Sequence, residues 1–118
     1  MANSAANNKK EIKKICDMQT ALDILGGKWT FLIVYSLLDG KKRFKELERA
    51  VTGINTRMLV KELKSLEAHK ILTREAFATV PPTVEYTLTQ KGKDLQATMQ
   101  SLHQWTIDWG EDTDTDKV

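Results

Sequence analysis

A chain of 118 residues is long enough to bury one modest core and too short for two. With 41% hydrophobic and 29% charged residues, and no apolar run near the length of a membrane span, the composition is that of a soluble globular protein without a membrane-embedded role. The net charge of +2 hides an uneven distribution: Lys41 to Glu75 holds ten basic residues against five acidic ones, whereas from Asp108 onward five acidic residues face Lys117 alone. Such polarity suits a protein that presents one face to a polyanion and keeps its far end away from it.

In MANSAANNKKE no hydrophobic segment follows the charges, so this is not a secretory leader; residues 1–14 read as a mobile arm and the protein as cytoplasmic. The single Cys16 excludes an internal disulfide and points to a reducing compartment. Only His69 and His103 join it, without the pairing or clustering of a metal site, so no metal and no cofactor is expected.

From Asp17 to Leu25, Met18, Ala21, Leu22 and Leu25 recur at helical spacing, and Gly26-Gly27 stops the helix. KWTFLIVYSLL is apolar nearly all round, which predicts a buried central helix ended by Asp39-Gly40. Lys41 to Arg43 fits a short strand. Phe44, Leu47, Ala50 and Val51 then repeat at helical spacing up to Thr52-Gly53.

Gly53 can close a tight turn, Ile54 is positioned for burial, and Asn55 is a good N-cap for a helix from about Thr56. In that helix Leu59, Leu63 and Leu66 form one apolar stripe, while Thr56, Arg57, Val60, Lys61 and Lys64 fall on another side that is basic and short in its first turn. Helix, glycine turn, then a helix with an exposed basic first half is the helix-turn-helix pattern, in which the second helix enters the DNA major groove. A lysine-rich face kept for solubility is the plainer alternative.

Ile71 to Ala76 and Val84 to Leu88 read as strands, the second with Val84, Tyr86 and Leu88 on one face. Two strands after a recognition helix make a wing. Its loop, FATVPPT, has no Lys or Arg, so it offers DNA backbone and shape contacts rather than base reading. Arg74 at the base of the wing is either a phosphate contact or a cross-strand partner of Glu85.

Thr89 is an N-cap for a last helix carrying Leu95, Met99, Leu102, Trp105 and Trp109. A terminal stripe ending in two tryptophans calls for a second copy of the same helix, aided by Met18 and Leu22 of the first helix; folding back on its own core is the alternative. Residues 15–110 therefore form the DNA-binding and dimerisation domain, and residues 111–118 an acidic, disordered tail. The fold class is α+β, mainly helical: a winged helix-turn-helix with N- and C-terminal dimerisation helices.

GGKW at Gly26 to Trp29, RFKEL at Arg43 to Leu47, GINTRML at Gly53 to Leu59, LKSLE at Leu63 to Glu67 and PPTVEYTLTQKG at Pro81 to Gly92 together resemble the HxlR-type winged helix-turn-helix regulators, relatives of the MarR group. The resemblance runs from about Cys16 to Leu95. It implies a dimeric bacterial or archaeal transcription regulator on a two-fold-related operator, with the dimer made by the first and last helices. It also implies that Arg57 belongs to the DNA-facing helix, with Thr56, Lys61 and Lys64 nearby. The candidate DNA contacts are thus Arg43, Asn55, Thr56, Arg57, Lys61, Lys64 and Arg74.

Some members of the resembling family sense oxidants or electrophiles through a single cysteine shortly before the first helix, the place of Cys16. A helix start and the charges of Lys13 and Lys14 would favour the reactive thiolate; Asp17, standing where members often have proline, opposes it. A protein-interaction module without DNA contact is the other reading of such a fold. An enzyme is not expected, since no nucleophile and base pair, phosphate loop or metal spacing is present.

Overall fold

A computed structural model describes residues 4–110. The first three residues and the acidic segment 111–118, expected to be disordered, lie outside the described residues. The chain opens with α1 (Ser4–Leu25), a 22-residue helix. Residues 4–14, expected to be an arm, are its first turns. Neither glycine nor proline interrupts them, and Ile12 and Ile15 extend the stripe of Met18 and Leu22 backwards at helical spacing, so the pattern that predicted the last turns continues through the first. The helix ends where Gly26 N–H donates to the Leu22 carbonyl at 2.6 Å.

After α2 (Thr30–Leu37) come β1 (Lys42–Arg43), α3 (Phe44–Ala50) and α4 (Thr56–Ala68), then β2 (Leu72–Phe77) and β3 (Thr83–Leu88). The strands form one antiparallel sheet in the order β1-β3-β2, with Leu72 opposite Leu88, Phe77 opposite Thr83 and Lys42 opposite Tyr86. The two wing strands lie within a residue of their expected limits.

One core holds the body together. Ile33, Val34 and Leu37 of α2 meet Leu47 and Val51 from the α3 region, Leu59, Leu63 and Leu66 of α4, and Ile71, Leu72, Tyr86 and Leu88 of the sheet. The expectation that α2 is buried all round does not hold. Leu32 and Tyr35 are exposed, because only one side of α2 reaches the core and a cleft of about 440 Å3 separates the other from the last helix.

That last helix is also not continuous from Thr89. Thr89 caps a single turn, α5 (Gln90–Lys93), by accepting from Gly92 N–H at 3.1 Å; after Asp94 the chain resumes as α6 (Leu95–Trp109). The break accompanies a tie to the end of α4. The Thr89 hydroxyl lies 2.6 Å from the Lys70 carbonyl and 3.0 Å from that of Ile71, and Lys91 Nζ donates to the His69 carbonyl at 2.7 Å. Gly92 is buried so tightly there that a Cβ would fall 2.2 Å from the Ile71 carbonyl oxygen. Among the described residues, no helix is long and apolar enough to cross a membrane.

Gly92→Ala is expected to lower the unfolding free energy by about 1–3 kcal/mol, since backbone must move to admit the methyl group. Urea denaturation of the two proteins measures this, and an unchanged midpoint would contradict the packing described.

Candidate nucleic-acid interface

Helix α4 starts where a turn and a cap agree. Gly53 sits at φ +93°, a region that costs a side-chain-bearing residue, and the Asn55 side chain accepts from Met58 N–H at 2.8 Å. The leucine stripe is buried as its spacing predicts, and this fixes the rotation of the helix. Thr56, Arg57, Val60, Lys61 and Lys64 are all exposed.

Tertiary contacts support this helix in ways the sequence did not announce. The buried Thr30, first residue of α2, donates a long hydrogen bond of 3.5 Å to Glu62 of α4, placing a carboxylate beside the positive end of α2. The Trp29 ring packs 3.6 Å from where a Cβ on Gly53 would lie, and Lys28 Nζ stands 4.7 Å from its centroid. The GGKWT stretch thus braces both the turn and the back of α4. Only its unusual run of small and aromatic residues signals this in the sequence.

Glu48 of α3 adds an unforeseen contact. Its carboxylate accepts from the Thr56 hydroxyl at 2.6 Å, so an acidic group stands beside the first turn of α4, which is free of acid only along its own sequence. With the Thr56 proton engaged and the Asn55 oxygen used as the cap, Arg57 is the group at this end with the most hydrogen-bonding capacity left.

In the wing, Arg74 stands opposite Tyr86, and Glu85 faces Glu75. The expected alternative, an Arg74–Glu85 cross-strand pair, is therefore absent. Glu85 is instead approached by Lys41 at 3.3 Å and Arg43 at 4.0 Å. Arg43 accordingly lies apart from the other candidate contacts and is partly neutralised, whereas Thr56, Lys64 and Arg74 line one groove between α4 and the wing, together with Val60 and Tyr86. Among the described residues, none of Arg57, Lys61, Lys64 and Arg74 forms an ion pair. At the wing tip, Thr79 Oγ1 donates to the Pro81 carbonyl at 2.7 Å and Val80 is fully exposed.

The candidate interface residues divide into two sets. Leu95 and Met99 are half-buried against the core of their own chain. Met18 and Leu22 on α1 and Leu102, Trp105 and Trp109 on α6 are exposed, with Trp109 at 75% and Leu22 at 67%. Cys16 is exposed too, but in the interior of α1 rather than ahead of it, so free N–H groups of a helix start do not reach the sulfur. Lys13 is held by Asp17 at 2.8 Å and directs its charge there.

A family profile described as HxlR-like helix-turn-helix matches residues 24–114. The chain belongs to that family. Members of the HxlR-like family are transcriptional regulators, and this one is 41% identical to the HTH-type transcriptional regulator YybR of Bacillus subtilis over 84% of this chain and 82% of the relative. The reduced form of YodB from B. subtilis has a similar structure, with TM-score 0.76 and 40% identity over 83% of this chain and 96% of that one. YodB is also known quinone-bound and diamide-treated, at TM-scores of 0.70 and 0.69 and identities of 39% and 40%. These cover 79% and 80% of this chain and 97% and 94% of theirs. The redox regulator HypR in its oxidised form matches at TM-score 0.72 and 40% identity, over 81% of this chain and 99% of HypR.

Asn55→Ala is expected to cost about 1 kcal/mol of stability through loss of the cap. Asn55→Asp should retain most of it, as read from thermal melts. Equal losses in both variants would show that the side chain acts otherwise.

Proposed function

We propose that this regulator is a cytoplasmic homodimer that binds a two-fold-symmetric operator through α4 and the wing, and that Cys16 makes the binding responsive to oxidants or electrophiles. The observation that carries the DNA reading is the set of four exposed cations, Arg57, Lys61, Lys64 and Arg74, none of which forms an ion pair among the described residues; Lys64 and Arg74 line the groove between α4 and the wing, with Glu67 the acid beside them. A protein-docking module has no need to leave so many cations without counter-ions on one face.

Pairing of two subunits is supported by the exposed apolar side chains of α1 and α6, which one chain leaves in water. With two copies of α4 about 34 Å apart, both enter successive major grooves of one duplex face. Lys61, Lys64 and Arg74 supply affinity through phosphates and released counter-ions, and Arg57 supplies sequence preference at base edges. The redox part rests on the exposure of Cys16 beside this same apolar stripe and on the similarity to YodB and HypR. Modification there would change how the paired helices seat, and with them the spacing of the two α4 helices.

Duplexes selected from a random pool test the DNA reading. Arg57→Ala should cost about 1–3 kcal/mol on the selected duplex and little on random DNA, whereas Lys64→Ala should weaken both and lower the salt dependence by about 1 in slope. A protein that stays monomeric at working concentration, or whose binding ignores ionic strength, would defeat the proposal. Diamide or a quinone should alter binding by the wild type and leave Cys16→Ser unaffected; the same response in both proteins would remove Cys16 from the mechanism.

A further inference from the structure

The contact between Glu48 and Thr56 limits what the first turn of α4 can offer. A threonine hydroxyl has one proton, and here Glu48 holds it at 2.6 Å, the short distance of a hydrogen bond to a carboxylate. Only lone pairs are then left on Thr56, and the carboxylate beside it has nothing else. Thr56 is exposed and Glu48 half-buried, and among the described residues no cation pairs with Glu48. The flanking residues have the opposite character. The Asn55 oxygen is engaged by Met58 N–H at 2.8 Å, which leaves its amide N–H groups available, and Arg57 can only donate. Residues 55, 56 and 57 therefore offer donor, acceptor and donor in that order.

We infer that Glu48 determines specificity: by holding the Thr56 proton it makes this point of α4 an acceptor, which selects a cytosine in each half-site. In the major groove cytosine presents its N4 amino donor, whereas guanine presents the O6 and N7 acceptors and thymine the O4 acceptor and a methyl group. Adenine carries an amino group too, but its N7 lone pair lies beside that group and faces the acceptors of the protein. A hydroxyl free to rotate serves as donor or acceptor and tolerates any of these bases. Glu48 removes that freedom. Its charge also repels phosphate, so the residue trades some affinity for every duplex against discrimination between them. Glu48 is thus a positioning residue that acts through Thr56. The inference rests on the DNA-binding reading proposed above and concerns which base that same end of α4 reads.

The test is selection of duplexes from a random pool by wild type, Glu48→Ala, Glu48→Gln, Thr56→Ser and Arg57→Ala, followed by affinities for every single-pair replacement in the wild-type consensus. Wild type should require a C·G pair in each half-site besides the pair whose preference is lost in Arg57→Ala, and replacing that C·G pair should weaken binding about tenfold. In Glu48→Ala the hydroxyl proton is released, so this preference should vanish while binding to random duplex strengthens. Glu48→Gln keeps the shape of the side chain and can donate as well as accept, so it should relax the same preference even if the alanine variant folds poorly. Thr56→Ser retains the hydroxyl and should retain the cytosine. Preferences unchanged in both Glu48 variants, equal weakening on all duplexes, or a change confined to the pair read by Arg57 or to an A·T pair overturns this role of Glu48 and leaves the α4 reading intact. A wild type that selects no consensus defeats the DNA-binding reading itself, and this one with it.

Discussion

Burial of Leu59, Leu63 and Leu66 in the shared core is the constraint from which the rest follows. Three leucines on one side of a 13-residue helix fix its rotation, and fixing the rotation decides which side chains water meets. Had the stripe been displaced by one position, Lys64 and Glu67, or Glu62 with the shift in the other direction, would compete for the interior, where unpaired charges are not tolerated. The same burial seats the wing: Leu72 and Leu88 close over the core from the sheet, and Arg74 is thereby carried to the groove beside Lys64. Stability and the arrangement of charge are thus set by one packing decision.

The helices at the two ends of the chain obey the opposite rule. Among the residues whose burial is described, neither α1 nor α6 contributes a fully buried one, yet between them they display Ile12, Ile15, Met18, Leu22, Leu102, Trp105, Ile107 and Trp109. Exposed Leu32 and Tyr35 on α2 add to this surface. The exposure follows from geometry: the buried core lies between α2 and β3, α1 and α6 project from it, and the full body reaches 68 Å along its longest axis. An apolar surface of this kind is what the proposed homodimer would cover.

Much of this was legible from residue order. The cap at Asn55, the glycine turn and the leucine spacing of α4 are local signals, and local signals survive folding. What escaped were facts created by folding itself. Tertiary approach alone brings Glu48 to Thr56 and Glu62 to Thr30. The register that sets Arg74 against Tyr86 depends on where β2 begins, and a single position decides it. The extent of α1 was underestimated because a polar, lysine-rich beginning looks like a solvated arm until its two isoleucines are placed on the stripe of Met18 and Leu22. The partial exposure of α2 was missed because an all-apolar helix reads as buried whether its uncovered side meets its own chain or another.

The Thr89 hydroxyl, set against the carbonyls of Lys70 and Ile71, carries a mechanical implication. The C-terminal end of α4, the root of the hairpin and the start of the terminal helices are pinned at one point, so they travel as a single rigid piece. In the proposed homodimer, the distance between the two α4 rods would then change only where the pieces abut or along the short span 26–28 joining them to α1. A chemical event on that outer helix would therefore, on the proposed reading, shift entire bodies relative to a bound duplex and leave the rod itself straight.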